Sequence, residues 1–187
     1  MNPETKICQN CKNPFTIEPE DFAFYEKMAV PPPTFCPECR LQRRLAFFNE
    51  RVLYKRNCDL CKKSMISMYA PDSGLTVYCC ECYWSDNLNP SSFASDYDPS
   101  LSFFVQLNEL IRKTPQVARS VNYPTLINSD YVNHTGSSKN CYMIFTSDDC
   151  ENVLYSSILR NNKDSADCMT MGDSELCYEL VMAGRCS

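Results

Sequence analysis

Cys8-Gln9-Asn10-Cys11, Cys36-Pro37-Glu38-Cys39, Cys58-Asp59-Leu60-Cys61 and Cys79-Cys80-Glu81-Cys82 punctuate the first half of the chain. In each, two residues separate a pair of cysteines, the spacing at which a backbone knuckle aims both sulfurs at one ion. Joined in order they read C-x2-C-x24-C-x2-C and C-x2-C-x17-C-x2-C. The second falls within the spacing of four-cysteine zinc sites. Two Zn2+ ions are therefore expected, one held by Cys8, Cys11, Cys36 and Cys39, the other by Cys58, Cys61, Cys79 and Cys82. Cys80 with Cys82 is an alternative pair, but only Cys79 and Cys82 keep the two-residue gap.

Around these pairs the sequence predicts small modules of treble-clef or zinc-ribbon type. In residues 1–57, Pro14-Phe15-Thr16-Ile17 reads as a strand, and Pro31-Pro32-Pro33 as part of a loop before Cys36. Pro37 suits the first turn of a helix, and Leu41, Leu45, Phe48 and Val52 recur at helical spacing. In residues 58–97, Met65–Tyr69 and Leu75–Tyr78 flank the turn Ala70-Pro71-Asp72-Ser73-Gly74 and predict a hairpin. Trp84 to Asp98 then forms a polar, aromatic linker. Asp98-Pro99 opens a predicted helix with Leu101, Phe104, Val105, Asn108 and Ile111 at helical spacing, stopped by Thr114-Pro115. This helix and its connector occupy 98–121.

From residue 122 to 187 a nine-residue period appears. Ser129, Ser138, Ser147, Ser156, Ser165 and Ser174 share one column, continued by Ala183. Tyr123, Val132, Cys141, Cys150, Leu159, Cys168, Cys177 and Cys186 share another. A mostly apolar column, Leu126, Thr135, Ile144, Val153, Asn162, Met171 and Leu180, should face inward with the cysteines. A fixed short period implies stacked coils, and two or three units are expected per coil of a short β-solenoid. The regular spacing fits the later cysteines as small buried hydrophobes. Calcium-binding nonapeptide repeats carry glycine pairs that are missing here. The repeat stops early in a block without a polar cap, so the solenoid is expected to be truncated or covered. The fold class is thus α+β, small and metal-stabilised.

The 187 residues include 14 cysteines and a single histidine, His134. The polar N-terminus lacks a signal-peptide core, and no stretch has the length and hydrophobicity of a membrane span. This implies a reduced, cytoplasmic protein with no membrane partner. Four thiolates close a zinc shell, whereas catalytic zinc keeps an open position. With His134 far from the clusters, the chain reads as a non-enzyme without a small-molecule substrate. Iron at the same cysteines, giving a redox protein, is a further reading. It meets an objection: Lys12 and Arg40 follow the pairs where rubredoxin has glycine.

Charge divides unevenly, with 11 Lys/Arg against 8 Asp/Glu in residues 1–65 and 7 against 15 thereafter. Two zinc–thiolate centres would carry the formal net charge from −5 to roughly −9. On a helix continued through residue 51, Arg40, Arg44, Phe47 and Arg51 would form one stripe. With Arg43, Lys55 and Arg56 they are the candidate nucleic-acid contacts, RNA being preferred to DNA. The same cations can instead offset thiolate charge. A protein-interaction scaffold built on the acidic solenoid is the competing function, since anionic turns repel phosphates.

Cys8 to Cys11, Phe15-Thr16-Ile17-Glu18-Pro19-Glu20-Asp21, Pro32-Pro33-Thr34, Cys36-Pro37-Glu38-Cys39-Arg40 and Gln42-Arg43-Arg44-Leu45 carry a resemblance. Tyr83-Trp84-Ser85-Asp86 and Asn140-Cys141-Tyr142 extend it. Together they resemble a family of zinc-ribbon proteins from candidate-phylum bacteria, in which an N-terminal zinc region precedes cysteine-rich repeats. The resemblance implies zinc at the eight cysteines named. It brings no established activity, substrate or catalytic residue, and it implies a longer chain with more repeats.

Overall fold

The computed structural model describes residues 2–187. The chain divides into two compact units, one up to Asn49 and the other from Glu50 on.

In the first unit, β1 (Glu4–Ile7) and β2 (Pro14–Ile17) pair antiparallel around the first knuckle. The chain then forms α1 (Pro19–Lys27), which the sequence reading missed. Its start was encoded: Pro19 occupies the first turn, and the Glu18 amide donates to Asp21 Oδ2 at 3.2 Å, the reciprocal arrangement of a capping box. The second helix, α2 (Pro37–Leu45), begins at Cys36 as expected. It is shorter than predicted. Phe47 and Arg51 lie beyond its end, so the stripe Arg40, Arg44, Phe47, Arg51 does not form on one helix. The apolar positions meant to prolong it, Leu41, Leu45, Phe48 and Val52, stay exposed, and Cys39 is the one buried residue of α2.

The second unit repeats the knuckle with β3 (Tyr54–Asn57) and β4 (Ser64–Ser67), again antiparallel. The hairpin predicted between Met65–Tyr69 and Leu75–Tyr78 is not formed. Instead β5 (Val77–Tyr78) pairs in parallel with β6 (Gln116–Val117). The reason lies in the hydrogen bonds. The Met68 amide donates to Ala118 O at 2.8 Å, and the Ala118 amide to Tyr78 O at 2.9 Å, so residues 116–118 fill the place where the hairpin would close. Between them come α3 (Cys80–Tyr83) and α4 (Phe103–Lys113). The latter starts at cap residue Ser102 rather than Asp98, whose carboxylate closes a turn by accepting from the Ser100 amide at 2.8 Å. It ends at Thr114, as expected.

The β-solenoid follows with about four turns. Its strands are β7 (Val132–Gly136), β8 (Ile144–Leu154), β9 (Ser157–Ala166), β10 (Met169–Glu175) and β11 (Val181–Gly184), stacked in sequence and all parallel. Partners such as Val132 and Ile144, Phe145 and Ser157, and Met169 and Val181 are twelve residues apart. The coil is therefore twelve residues long, rather than two or three nine-residue units. Every third residue from His134 to Arg185 has positive φ. Each coil is thus four three-residue sides, each with one inward residue, one outward residue and one left-handed corner. Asn and Asp at many corners suit this geometry, because their short polar side chains tolerate it.

A coil of four sides and a sequence repeat of three sides do not match, and the mismatch organises the core. Ser, Cys and apolar residues alternate at successive inward positions, so each step up one wall advances by one member. Ser129 lies below Cys141, and Cys141 below Val153. Each serine therefore lies below a residue other than serine: the amides of Cys141, Leu159, Cys168, Cys177 and Cys186 donate to the hydroxyls of Ser129, Ser147, Ser156, Ser165 and Ser174 at 3.0–3.2 Å. These hydroxyls in turn donate to the carbonyl two residues back. The buried polar column is satisfied, as a core requires. Val132, Ile144, Val153, Leu159 and Met171 fill the remainder with the cysteines.

Candidate metal centres

Both knuckles are built alike. The Lys12 amide donates to Cys8 O at 3.0 Å, and the Cys8 amide to Asn13 O at 2.9 Å; Lys62, Cys58 and Lys63 repeat these bonds at the same lengths. Lys12 and Lys62 adopt φ of 65° and 63°, where glycine is the usual occupant. The sequence-based objection to a tight loop at Lys12 is thereby overturned. The lysines turn back on their own knuckles, Nζ donating to Gln9 O at 2.8 Å and to Asp59 O at 2.6 Å.

The second half of each site is a helix start. Cys36 caps α2 and Cys39 lies in its first turn; Cys79 caps α3 and Cys82 lies in its first turn. The Cys36 amide donates to Cys8 Sγ at 3.3 Å, and the Cys79 amide to Cys58 Sγ at 3.2 Å. Asn10 adds a side-chain donor to Cys39 Sγ at 3.3 Å.

Each group of four sulfurs lies within 4.8 Å of one another. The Cys11–Cys36 and Cys61–Cys79 sulfurs are separated by 3.7 and 3.8 Å. A tetrahedron with metal–sulfur bonds of about 2.3 Å has edges of about 3.8 Å. The donor set and its spacing therefore fit a metal ion, and the eight cysteines brought together are the eight predicted. Cys80 is buried outside the group.

The thiols are unequal. Burial pushes the Cys8 thiol up, but the amides of Cys36, Cys11 and Asn10 outweigh it and bring it down to about 6. Cys58 is lowered to about 7 against the same burial by the amides of Cys79, Cys61 and Leu60. For Cys36 the Cys39 amide pulls down, yet burial and three neighbouring sulfurs hold it up at about 12. Burial is the largest influence raising Cys79. Such crowding of thiols is resolved by a cation, which stabilises all four as thiolates.

The other candidate residues are distributed between the two units. Arg40, Arg43 and Arg44 lie on α2; Arg40 donates to Tyr25 Oη at 3.4 Å, and Arg43 stands over the Phe35 ring at 5.1 Å. Phe47, past the helix, is 87% exposed. Arg51 belongs to the second unit, where it donates to Ser157 Oγ and lies over the Phe145 ring at 5.8 Å. Lys55 and Arg56 are on β3. The Arg56 side chain is only 7% exposed and binds Asp59 Oδ2 at 3.0 Å and Ala70 O at 3.1 Å. It bridges the second knuckle to the following loop, a role that the sequence spacing did not reveal.

Among the described residues no helix is long and apolar enough to cross a membrane. No family model matches the chain, and no curated protein or solved structure matches it.

Proposed function

We propose that this is a non-catalytic zinc protein that binds nucleic acid, RNA in preference to DNA, with α2 supplying contacts. The observation that carries this reading is the exposed pair Arg43 and Arg44 on α2, followed by the exposed ring of Phe47. Guanidinium groups can neutralise phosphates while an aromatic ring stacks on a base. Arg51 and Arg56 make internal contacts and contribute less to this surface than their sequence positions promised.

Zinc is favoured over iron because a knuckle facing a helix start forms each site, in place of the two knuckles of the rubredoxin type. Four thiolates fill the shell, which supports a structural role. Every cysteine in the chain is free, in keeping with a reducing, cytoplasmic setting. Membership of the candidate-phylum zinc-ribbon family is part of the same proposal.

Elemental analysis should find two zinc ions per colourless chain. Reversing Arg43 and Arg44 to Glu should remove a salt-sensitive RNA gel shift, and an unchanged shift overturns the role of α2. The second reading is a protein-interaction scaffold. Exposed Leu176, Val181 and Met182 on the last coils favour it. Protein that never binds RNA, even at low salt, would turn the interpretation toward that scaffold.

A further inference from the structure

Within the second unit a cleft of about 480 Å³ lies beside the second metal centre. Lys55, Lys63 and Arg119 contribute cations to its wall, and Tyr123 and Tyr131 contribute aromatic rings; Glu81 and Asp130 are the acidic residues there. Arg119 is held in place by donating to the carbonyls of Asp130 and Val132. The two lysines are exposed.

The aromatic wall does not stop at the cleft. Tyr131 begins a row that climbs the solenoid through Tyr142 to Tyr155, with ring centroids 5.2 and 5.6 Å apart. These rings are 40%, 40% and 58% exposed. They meet tilted at 56° and edge-on at 85°, so none is sandwiched face to face by its neighbours. Offsetting thiolate charge would account for cations near the metal centre. It would not account for a row of uncovered tyrosines leading away from them.

We propose that this cleft and tyrosine row bind an unpaired polynucleotide, with a phosphate at Lys55, Lys63 and Arg119 and successive bases against Tyr131, Tyr142 and Tyr155. Cations beside a run of aromatic faces match the alternation of charge and ring along a single strand. A duplex does not offer its base faces to such a row. The inference rests on the nucleic-acid reading above but places a contact surface at a different site from α2.

The test is fluorescence anisotropy of zinc-loaded protein with a labelled uridine dodecamer and, in parallel, a thymidine dodecamer of DNA, each at low and high potassium chloride. Tyr131→Ala and Tyr142→Ala should each weaken binding by roughly 5- to 100-fold, whereas Tyr142→Phe should retain it. Lys63→Glu should weaken binding and reduce its salt dependence. Circular dichroism and zinc content establish that each variant is folded. Wild-type affinity in folded Tyr131→Ala and Tyr142→Ala proteins overturns the inference. If binding then disappears only in the Arg43→Glu/Arg44→Glu protein, the α2 reading stands without the cleft. Failure of the wild type to bind either strand removes the nucleic-acid reading and this inference together. Tighter binding of the uridine strand assigns RNA, and tighter binding of the thymidine strand assigns single-stranded DNA; either supports the cleft when the tyrosine variants lose it.

Discussion

The Cys79 amide donates to Cys58 Sγ at 3.2 Å, joining the start of α3 to a knuckle twenty-one residues earlier. Cys36 and Cys8 make the equivalent contact at 3.3 Å. An amide facing a sulfur stabilises the thiolate rather than the thiol, so the backbone is arranged for a metal as much as for its own packing. Besides its cysteines, the first unit buries only Ile17 among the described residues. Its buried cluster is Cys8, Cys36 and Cys39 with Phe15 and Phe35 at the margin.

Chelation should therefore act unevenly along the chain. Removal of metal with EDTA under reducing conditions is expected to release amide protection at residues 4–17 and 36–45, since the ligands are themselves the core there. The solenoid has its own core in Val132, Ile144, Val153 and Leu159 and should keep its protection. Hydrogen exchange followed by mass spectrometry measures both; loss of protection throughout β8 and β9 would contradict the independence of the solenoid.

The adjacent cysteines Cys79 and Cys80 should behave differently. Cys79 joins the sulfur group and Cys80 does not, so Cys80→Ala should retain two metals per chain and Cys79→Ala only one firmly bound. Cys80 is buried, and its replacement should cost about 1 kcal/mol through lost packing. Metal content by mass spectrometry, with a chelator challenge, separates the two variants.

The metal ligands were legible because a thiolate pair at fixed spacing is a local signal, independent of what the rest of the chain does. The solenoid was legible for a related reason, since Ser129, Ser138 and Ser147 recur at equal intervals. Coil length was not. Nine residues and twelve share a three-residue side, and only the pairing of Phe145 with Ser157 determines how many sides close a turn. The hairpin after Met65 failed for a non-local reason: Ala118, more than forty residues downstream, supplies the partners that residues 75–78 were expected to provide. Arg51 and Arg56 illustrate the same limit. Their charge pointed to an external anion, while the fold placed Phe145, Ser157, Asp59 and the Ala70 carbonyl within their reach.

Ser156 tests whether the serine column is structural. Its hydroxyl donates to Leu154 O at 2.7 Å and accepts from the Cys168 amide at 3.0 Å. Ser156→Ala leaves the buried Cys168 amide without this acceptor, while Leu154 O keeps the Asp167 amide at 3.2 Å, and should cost about 1–3 kcal/mol. Urea denaturation followed by circular dichroism measures it. A change within a few tenths of a kcal/mol would mean that the column is a spacer and nothing more.

Asn152 tests the corners. It has φ of 55°, accepts from Asn140 Nδ2 at 3.0 Å and donates through its own Nδ2 to Asp164 Oδ1 at 2.7 Å. Asn152→Gly keeps the left-handed conformation accessible but breaks this ladder, whereas Asn152→Val breaks the ladder and also places a β-branched residue in a region it avoids. The valine variant should therefore be less stable than the glycine variant by about 1–2 kcal/mol, read from parallel urea titrations. Equal stability of the two would show that the corner relaxes away from positive φ. The three-residue side could then not be the rigid unit from which the coil is built.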